Sequence, residues 1–185
     1  MPKAERPPPE WAEPDWFLQL WPRCDGQLKA LTTFLPFTGC RIQECLDLTW
    51  ENVNLKEGWA FIRYTKNKEH RSVYLPEPVV VALKAIQKKT GGQVFAFKDR
   101  DEVRRRLIKA CSEAGIPYLS THKIGSHTYA TWMRRYAGMD ARGLLATGRW
   151  KDQKSTYHYT HTTVNEEARK ADLLTQILTQ DPVTH

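Results

Sequence analysis

The residues with the clearest chemical potential are a tyrosine late in the chain and basic side chains well ahead of it. Tyr159 offers a phenolic nucleophile, Arg41 a guanidinium that stays charged at any working pH, and Lys66 an ammonium able to give up a proton. Metal-free cleavage of a phosphodiester needs a nucleophile, a cation and an acid. The cation binds the non-bridging oxygens of the phosphate, and the acid gives a proton to the leaving oxygen. Trp150 adds an indole that can donate one hydrogen bond and shield a site from water. These residue types suit phosphoryl transfer.

Four motifs follow one another in an order and spacing that are specific together, although no single one is decisive. They are, in chain order, "TGCRIQECLDLTW", "TKNKEHRSVYLP", "HTYATWM" and "TGRWKDQKSTYHYTH". Over residues 26–165 the chain resembles the catalytic domain of the tyrosine recombinases, the phage-integrase type of site-specific recombinase. The resemblance implies that Arg41 is the first catalytic arginine, Lys66 the hairpin lysine and Tyr159 the nucleophile. It places Trp150 where the family has His or Trp.

Two of these assignments have a rival nearby. Lys66 and Lys68 lie in the same polar turn, and either is able to be the reactive lysine. Tyr157 precedes Tyr159 closely, but Tyr159 stands at the family's usual distance from the tryptophan and is preferred. Glu44 fits the acidic position of the first motif, where we expect it to support the first arginine rather than act on DNA.

The third motif departs from the family, whose pattern there is approximately His-x-x-Arg-His-Thr-Phe-Ala-Thr with His or Lys first. If "HTYAT" sets the register, Lys123 takes the first position and Ser126 that of the arginine. If His122 sets it, Gly125 takes the arginine's place. Neither register supplies an arginine. Lys123 is expected to assist catalysis, with His122 and His127 in support.

The absent arginine predicts a large loss of activity. Losing an arginine that neutralises a phosphoryl transition state costs about 10³- to 10⁵-fold. Serine has no charge and too short a reach, and Arg134 and Arg135 follow about two helical turns later, too far along the helix to replace it. The sequence therefore predicts that cleavage is severely impaired as written.

The resemblance also implies a function and its partners. The function is site-specific recombination of double-stranded DNA, integrating or excising a mobile element through a 3′-phosphotyrosine intermediate without a cofactor. A synaptic tetramer on DNA is expected, with an amphipathic helix in 166–185 docking on a neighbouring copy; packing of that helix on its own domain is an equally good alternative. The other candidate function is a catalytically inactive DNA-binding protein of the same fold, which Ser126 favours.

The charge of the chain suits such a partner without identifying it. Lys and Arg number 28 against 21 Asp and Glu, giving a net charge of +7 and a pI near 9.3. The arginines that we expect to contact DNA phosphates are Arg104, Arg105, Arg134 and Arg135. A solvated helix face is an equally good interpretation of the first pair.

Apolar spacing predicts a mostly helical α+β fold with a small antiparallel sheet. "WAFIRY" and "RSVYLP" indicate two strands joined by a turn, and a further short strand is expected over 94–97. Helices are predicted over 27–37, 41–48, 77–89, 101–115, 127–138 and 140–148, with a short one before Tyr157.

Three regions are predicted along the chain. The prolines of residues 1–25 favour an extended linker without regular helix, which Trp11, Trp16 and Phe17 are expected to dock on the core. Residues 26–165 form the catalytic domain, and 166–185 a C-terminal amphipathic helix and tail. With no CxxC pair, signal peptide or long apolar run, we expect a soluble, cytoplasmic, bacterial or phage-encoded protein associated with the nucleoid, with neither a metal site nor a membrane partner.

Overall fold

Helices and one small sheet make up the computed structural model, which describes residues 10–63, 70–87, 91–152, 154–157 and 159. The helices are α1 (Pro14–Leu20), α2 (Gly26–Thr38), α3 (Ile42–Leu46), α4 (Glu77–Ile86), α5 (Arg100–Ala114), α6 (Thr128–Arg135), α7 (Ala141–Ala146) and α8 (Lys154–Tyr157). The strands are β1 (Val53–Asn54), β2 (Trp59–Arg63) and β3 (His70–Tyr74). The predicted fold class, the helices predicted between residues 27 and 157 and the two hairpin strands are confirmed, whereas the helix predicted in 166–185 lies outside the described residues. No helix in the described part of the chain is long and apolar enough to cross a membrane.

Helix α2 lies at the centre of the core, and the local sequence sets both of its ends. Asp25 accepts a hydrogen bond from the backbone N–H of Leu28 at 2.8 Å and caps the N-terminus. Gly39 ends the helix with φ 64°, a left-handed conformation that glycine adopts without steric cost. A Cβ there would lie 2.7 Å from the ring of Tyr129. The chain therefore turns sharply after α2, and Arg41 follows as the N-cap of α3.

The sheet turns one arginine toward the core. Its strands pair antiparallel in the order β1-β2-β3, with Ile62 opposite Arg71. Side chains alternate between the two faces of a strand, so Arg71 and Val73 point inward together. Arg71 is 7% exposed. Since a buried guanidinium needs polar partners, β3 must lie against other polar groups at this point.

The N-terminal segment differs from its prediction. Residues 14–20 form α1, so the expected absence of regular helix is wrong there. Pro14 lies in the first turn, where its missing N–H breaks no intrahelical hydrogen bond. Trp16 and Phe17 are buried, which confirms their docking on the core. Residues 1–9 lie outside the described residues.

The strand expected over 94–97 is not formed. The only ladder contact nearby in the described chain is an isolated bridge between Thr49 and Gln93. Val94, Phe95 and Phe97 are instead buried in an irregular segment. A short apolar run has the same composition whether a buried strand or a buried loop carries it, so the pattern alone does not distinguish the two.

Replacing Phe17 by Ala is expected to lower the free energy of unfolding by about 3–5 kcal/mol. The reason is that its ring is fully buried, with the rings of Trp16 and Trp132 at centroid distances of 5.0 and 5.4 Å. Leu18→Ala on the same helix is the matched control, since Leu18 is 61% exposed. Its effect should stay within about 0.5 kcal/mol. Urea denaturation measures both, and equally small effects would show that α1 does not pack on the core.

Candidate active site

Separate stretches of the chain bring polar and aromatic side chains together beyond the C-terminal end of α2. The stretches are the loop after α2, strand β3, the π-helical turn Lys123–His127 that leads into α6, and the segment from the end of α7 past α8. Electrostatic and ring contacts connect their side chains, which are those of Arg41, Glu44, Arg71, His122, Ser126, His127, Arg149, Trp150 and Tyr159.

Glu44 is buried and holds two arginines. Its Oε1 accepts a hydrogen bond from Arg41 Nη1 at 3.2 Å, and its Oε2 accepts one from Arg71 Nη2 at 3.3 Å. Oε2 also accepts the backbone N–H of Arg41 at 2.8 Å, which closes the N-terminus of α3. The side chain of Arg41 remains 55% exposed, whereas that of Arg71 is 6% exposed. Arg41 is thus held in place and open to a ligand, and Arg71 lies in the support beneath it.

The third motif folds as a π turn, in which the N–H of Thr128 bonds to the carbonyl oxygen of Lys123. A π turn contains one more residue than an α-helical turn. The extra residue falls between His122, which precedes the turn, and His127, which ends it and begins "HTYAT". Gly125 lies inside the turn, where a Cβ would come within 2.9 Å of the Cys40 carbonyl oxygen. The two anchors that the sequence left open therefore stand at the two ends of one π turn.

Ser126 is 2% exposed, and its hydroxyl contacts a guanidinium. Arg149 Nη2 donates to Ser126 Oγ at 2.6 Å, and Arg149 Nε donates to the carbonyl oxygen of Gly39. The Ser126 hydroxyl donates to the same carbonyl at 3.5 Å. Gly148, with φ 71°, makes the turn after α7 that precedes Arg149. Arg149 is itself 5% exposed, so its charge lies inside the protein beside Ser126.

The site contains more positive than negative charge. Burial lowers the pKa of Arg149, and the guanidiniums of Arg41 and Arg71 act in the same direction, with Glu44 opposing them. An arginine nevertheless stays protonated in a protein. Three guanidiniums therefore lie near one carboxylate, an arrangement that favours binding of an anion.

Tyr159 lies among aromatic rings. Its ring centroid is 5.6 Å from that of Trp150 and 5.7 Å from that of His127. Trp150 in turn stacks on Tyr129 at 6.2 Å, with an angle of 18° between the planes. Burial raises the pKa of the Tyr159 phenol, and the guanidinium of Arg149 acts in the opposite direction. The phenol is therefore neutral at pH 7 and needs a base before it can attack.

Two histidines next to this tyrosine are uncharged at pH 7. The rings of His122 and His127 meet edge to face at 4.5 Å. Burial lowers the pKa of both imidazoles, and for His122 the neighbouring His127 and Arg149 lower it further. His127 Nδ1 lies 3.1 Å from the carbonyl oxygen of Glu10, so in the neutral ring Nδ1 carries the proton and Nε2 is free to accept one.

Two predicted site residues face the N-terminal segment instead. Lys123 forms an ion pair with the carboxylate of Glu10. Arg135 pairs with Glu13 at 3.3 Å and stacks over the ring of Trp11 at 4.9 Å. These contacts explain how the segment before α1 is held on α6.

The remaining predicted residues are dispersed. Arg104 and Arg105 are exposed on α5, and Arg134 is half-buried on α6. Lys66 lies outside the described residues. Nothing in the described chain brings Arg104 or Arg105 to the phenol of Tyr159, so any role for them is in binding rather than in chemistry.

Sequence reasoning missed Arg71 and Arg149. The signal for Arg71 was its alternation with Val73 along "RSVYLP", which puts both on the inner face of a strand. The signal for Arg149 was a charged residue immediately before Trp150, after a run of mainly small and apolar residues over 144–148. Neither signal indicates that the Arg149 guanidinium reaches Ser126, because that contact depends on the fold.

Comparison with known proteins agrees with this geometry. The sequence model described as the phage integrase family matches residues 18–166. The integrase of Salmonella phage P22 is 24% identical over 184 residues, covering 88% of this chain and 47% of the relative, so the chain spans about half its length. The crystal structure of XerA recombinase aligns with TM-score 0.72 and 23% identity, over 93% of this chain and 66% of that one. The catalytic domain of bacteriophage HP1 integrase aligns with TM-score 0.67 and 18% identity, over 88% and 94%.

The lowered pKa values of His122 and His127 predict a pH dependence of stability. The unfolded chain binds protons on these imidazoles at about pH 6.5, before the folded chain does, so stability should fall as pH decreases through that value. The double variant His122→Gln, His127→Asn should show a shallower fall. Denaturant titrations between about pH 7.5 and 5.5 measure the slopes. Equal slopes for parent and variant would contradict the assignment of two neutral imidazoles with lowered pKa values.

Proposed function

The chain belongs to the phage integrase family, and from that premise we propose that it is the catalytic part of a site-specific recombinase that cuts and rejoins double-stranded DNA through Tyr159. The observation that carries the proposal is the Trp150 ring, whose centroid lies 5.6 Å from the Tyr159 ring and 5.6 Å from the buried guanidinium of Arg149. Arg41 and Arg71 add positive charge around that guanidinium. A nucleophile next to concentrated positive charge suits attack on a phosphodiester.

In the proposed reaction the phenolic oxygen attacks the scissile phosphorus and the bond from phosphorus to the 5′ oxygen breaks. The phenolic proton passes to a base, and the leaving 5′ oxygen takes a proton from an acid, which gives a free 5′ hydroxyl. The 3′ phosphate is now esterified to Tyr159. Attack by the 5′ hydroxyl of another strand reverses these steps and releases the tyrosine. Because the ester conserves the energy of the broken bond, the reaction needs neither ATP nor another cofactor.

Arg41 is proposed to hold the non-bridging oxygens of the scissile phosphate. Its guanidinium is both exposed and fixed by Glu44, and a planar guanidinium donates two parallel hydrogen bonds to such oxygens. Lys66 is proposed as the acid for the 5′ oxygen, a role that rests on the resemblance alone. Trp150, whose ring lies 5.6 Å from that of Tyr159, is proposed to exclude water from the phenol.

The neutral histidines are proposed to accept the phenolic proton. His127 has its Nδ1 proton directed at a carbonyl oxygen, and its ring contacts Tyr159. His122 lies against His127 and close to Arg149. This proposal gives the pair a more direct role than Lys123, whose ammonium pairs with Glu10.

Double-stranded DNA is the proposed partner. Support comes from the net charge of +7 and from the exposed arginines of α5, Arg104 and Arg105, which we propose contact the phosphate backbone. A synaptic tetramer assembled through a helix in 166–185 remains a proposal from the resemblance, since that segment lies outside the described residues.

A DNA-binding protein that does not cut is the second candidate, and Ser126 is the observation that favours it. The sequence alone predicts severe impairment, because position 126 carries no charge. Arg149 Nη2 lies 2.6 Å from the Ser126 hydroxyl, however, so this side of the site does contain a cation. The recombinase is therefore the better supported candidate.

Replacing Tyr159 by Phe should abolish a detergent-stable protein–DNA adduct, because no oxygen remains to attack phosphorus. Tyr157→Phe is the matched control and should retain the adduct. Nicked duplexes of mixed sequence and supercoiled plasmid serve as substrates, and denaturing gels detect the adduct. An adduct lost in Tyr157→Phe and kept in Tyr159→Phe would move the nucleophile to the other tyrosine. Specific DNA binding by the parent without any adduct would favour the second candidate.

Lys66→Ala is expected to slow adduct formation by about 10²- to 10⁴-fold on ordinary DNA, as loss of a general acid does. A substrate with sulfur in place of the 5′ bridging oxygen should react at nearly the parent rate, because a thiolate leaves without a proton. Lys68→Ala is the control and should change neither rate. If sulfur rescued Lys68→Ala instead, the acid would be Lys68, and if it rescued neither variant, the hairpin would not supply the acid.

A further inference from the structure

Arg149 is a buried cation whose hydrogen bonds go to neutral groups. Nε donates to the Gly39 carbonyl oxygen and Nη2 to the Ser126 hydroxyl, and both acceptors are neutral. Among the residues that the structure describes, Nη1 donates no hydrogen bond and no carboxylate pairs with the guanidinium. A buried charge is normally compensated by an opposite charge, so this arrangement lacks an anion.

Glu44 supplies only part of that charge. Its carboxylate acts on Arg149 without a direct hydrogen bond, because it is hydrogen-bonded to Arg41 and Arg71, and those two cations repel Arg149. A phosphodiester has one negative charge and two non-bridging oxygens that accept hydrogen bonds. A phosphodiester therefore fits between the exposed guanidinium of Arg41 and the guanidinium of Arg149, which hydrogen bonds to neutral acceptors hold in place.

The position of the guanidinium gives it a specific role in the proposed reaction. Ser126 occupies the position at which the resemblance expects the second arginine, and the Arg149 guanidinium lies at its hydroxyl. The Arg149 guanidinium also lies over the ring of Trp150 at 5.6 Å, and Trp150 contacts Tyr159. The Arg149 guanidinium thus lies against both Ser126 and the indole that contacts the nucleophile, although it comes from a different position in the chain.

We propose that Arg149 is the second phosphate-binding arginine of this chain, a catalytic residue that replaces the one absent at Ser126. The proposal rests on the proposed function, since it assigns a role in that reaction. Arg149 donates hydrogen bonds to a non-bridging oxygen and neutralises charge as the phosphorus becomes five-coordinate. Its backbone acceptor, Gly39, and the Ser126 hydroxyl hold the guanidinium in place before DNA binds.

The Arg149 guanidinium has room in the site only because residue 126 is small. An arginine at 126 would have to place its side chain where the Arg149 guanidinium lies, because the two are in contact and 126 is 2% exposed. Two guanidiniums forced together in a buried place repel each other and crowd the core. Ser126→Arg alone is therefore expected to damage the site rather than to repair it.

The experiment compares the parent with Arg149→Gln, Ser126→Arg, and the exchange variant Ser126→Arg, Arg149→Ala. The adduct assay uses the nicked duplexes and plasmid described above, with thermal melting as the control for folding. Arg149→Gln should lower the rate by about 10³- to 10⁵-fold, Ser126→Arg should not increase it, and the exchange variant should recover part of the loss. An unchanged rate in Arg149→Gln, or a faster one in Ser126→Arg, would overturn the proposal while leaving the recombinase function in place.

If the parent forms no adduct, that result counts against the proposed function. A second measurement then tests the role of Arg149 without cleavage. Binding of inorganic phosphate alone, followed by NMR of the arginine Nε–H groups, reports on the anion site directly. Loss of one charge-assisted hydrogen bond should weaken binding roughly 10- to 100-fold in Arg149→Gln, with recovery in the exchange variant. Equal phosphate affinity in the parent and Arg149→Gln would overturn the proposal independently of any cleavage.

Discussion

The burial of several guanidiniums around one carboxylate is the constraint on which the site depends. Glu44 bonds to Arg41 and Arg71 and caps α3 with the same oxygen atoms. Because that carboxylate is shared among three guanidiniums, it compensates Arg149 only in part. Among the described residues the site therefore keeps a net positive charge at a place where water is largely excluded, and such charge attracts an anion more strongly than an exposed lysine or arginine does. This charge balance favours the binding of an anion.

The backbone at the end of α2 makes that charge balance possible. Gly39 turns left-handed there, and its carbonyl oxygen becomes the acceptor for both Arg149 and Ser126. Gly125 lets the π turn approach the same loop, since a Cβ would collide with the Cys40 carbonyl. Neither glycine takes part in chemistry. Their contribution is to let two segments distant in sequence approach closely enough for a guanidinium to bridge them.

Much of the fold was predictable from the sequence, because α2, α5 and the β2–β3 hairpin have clear apolar periods and strong local signals such as the Asp25 cap. The helix α1 was not, since its prolines suggested a linker, and burial of Phe17 outweighed that local preference. The π turn has no sequence signature of its own. Arg149 was missed because a motif assigns roles by position along the chain, whereas an arginine side chain is long enough for its charge to lie well away from its own backbone.

Because the charge of Arg149 lies next to Ser126, the role of Ser126 has to be interpreted together with Arg149. Considered by position, a serine where the resemblance expects an arginine predicts a loss of function. Considered with its neighbours, the serine leaves the space that the Arg149 guanidinium fills, and its hydroxyl accepts one of the hydrogen bonds that fix that guanidinium. Electrostatic stabilisation of a phosphoryl group depends on where the donors lie relative to the oxygens, not on which residue they come from. Ser126 and Arg149 are therefore one unit, and neither residue can be interpreted from its own position alone.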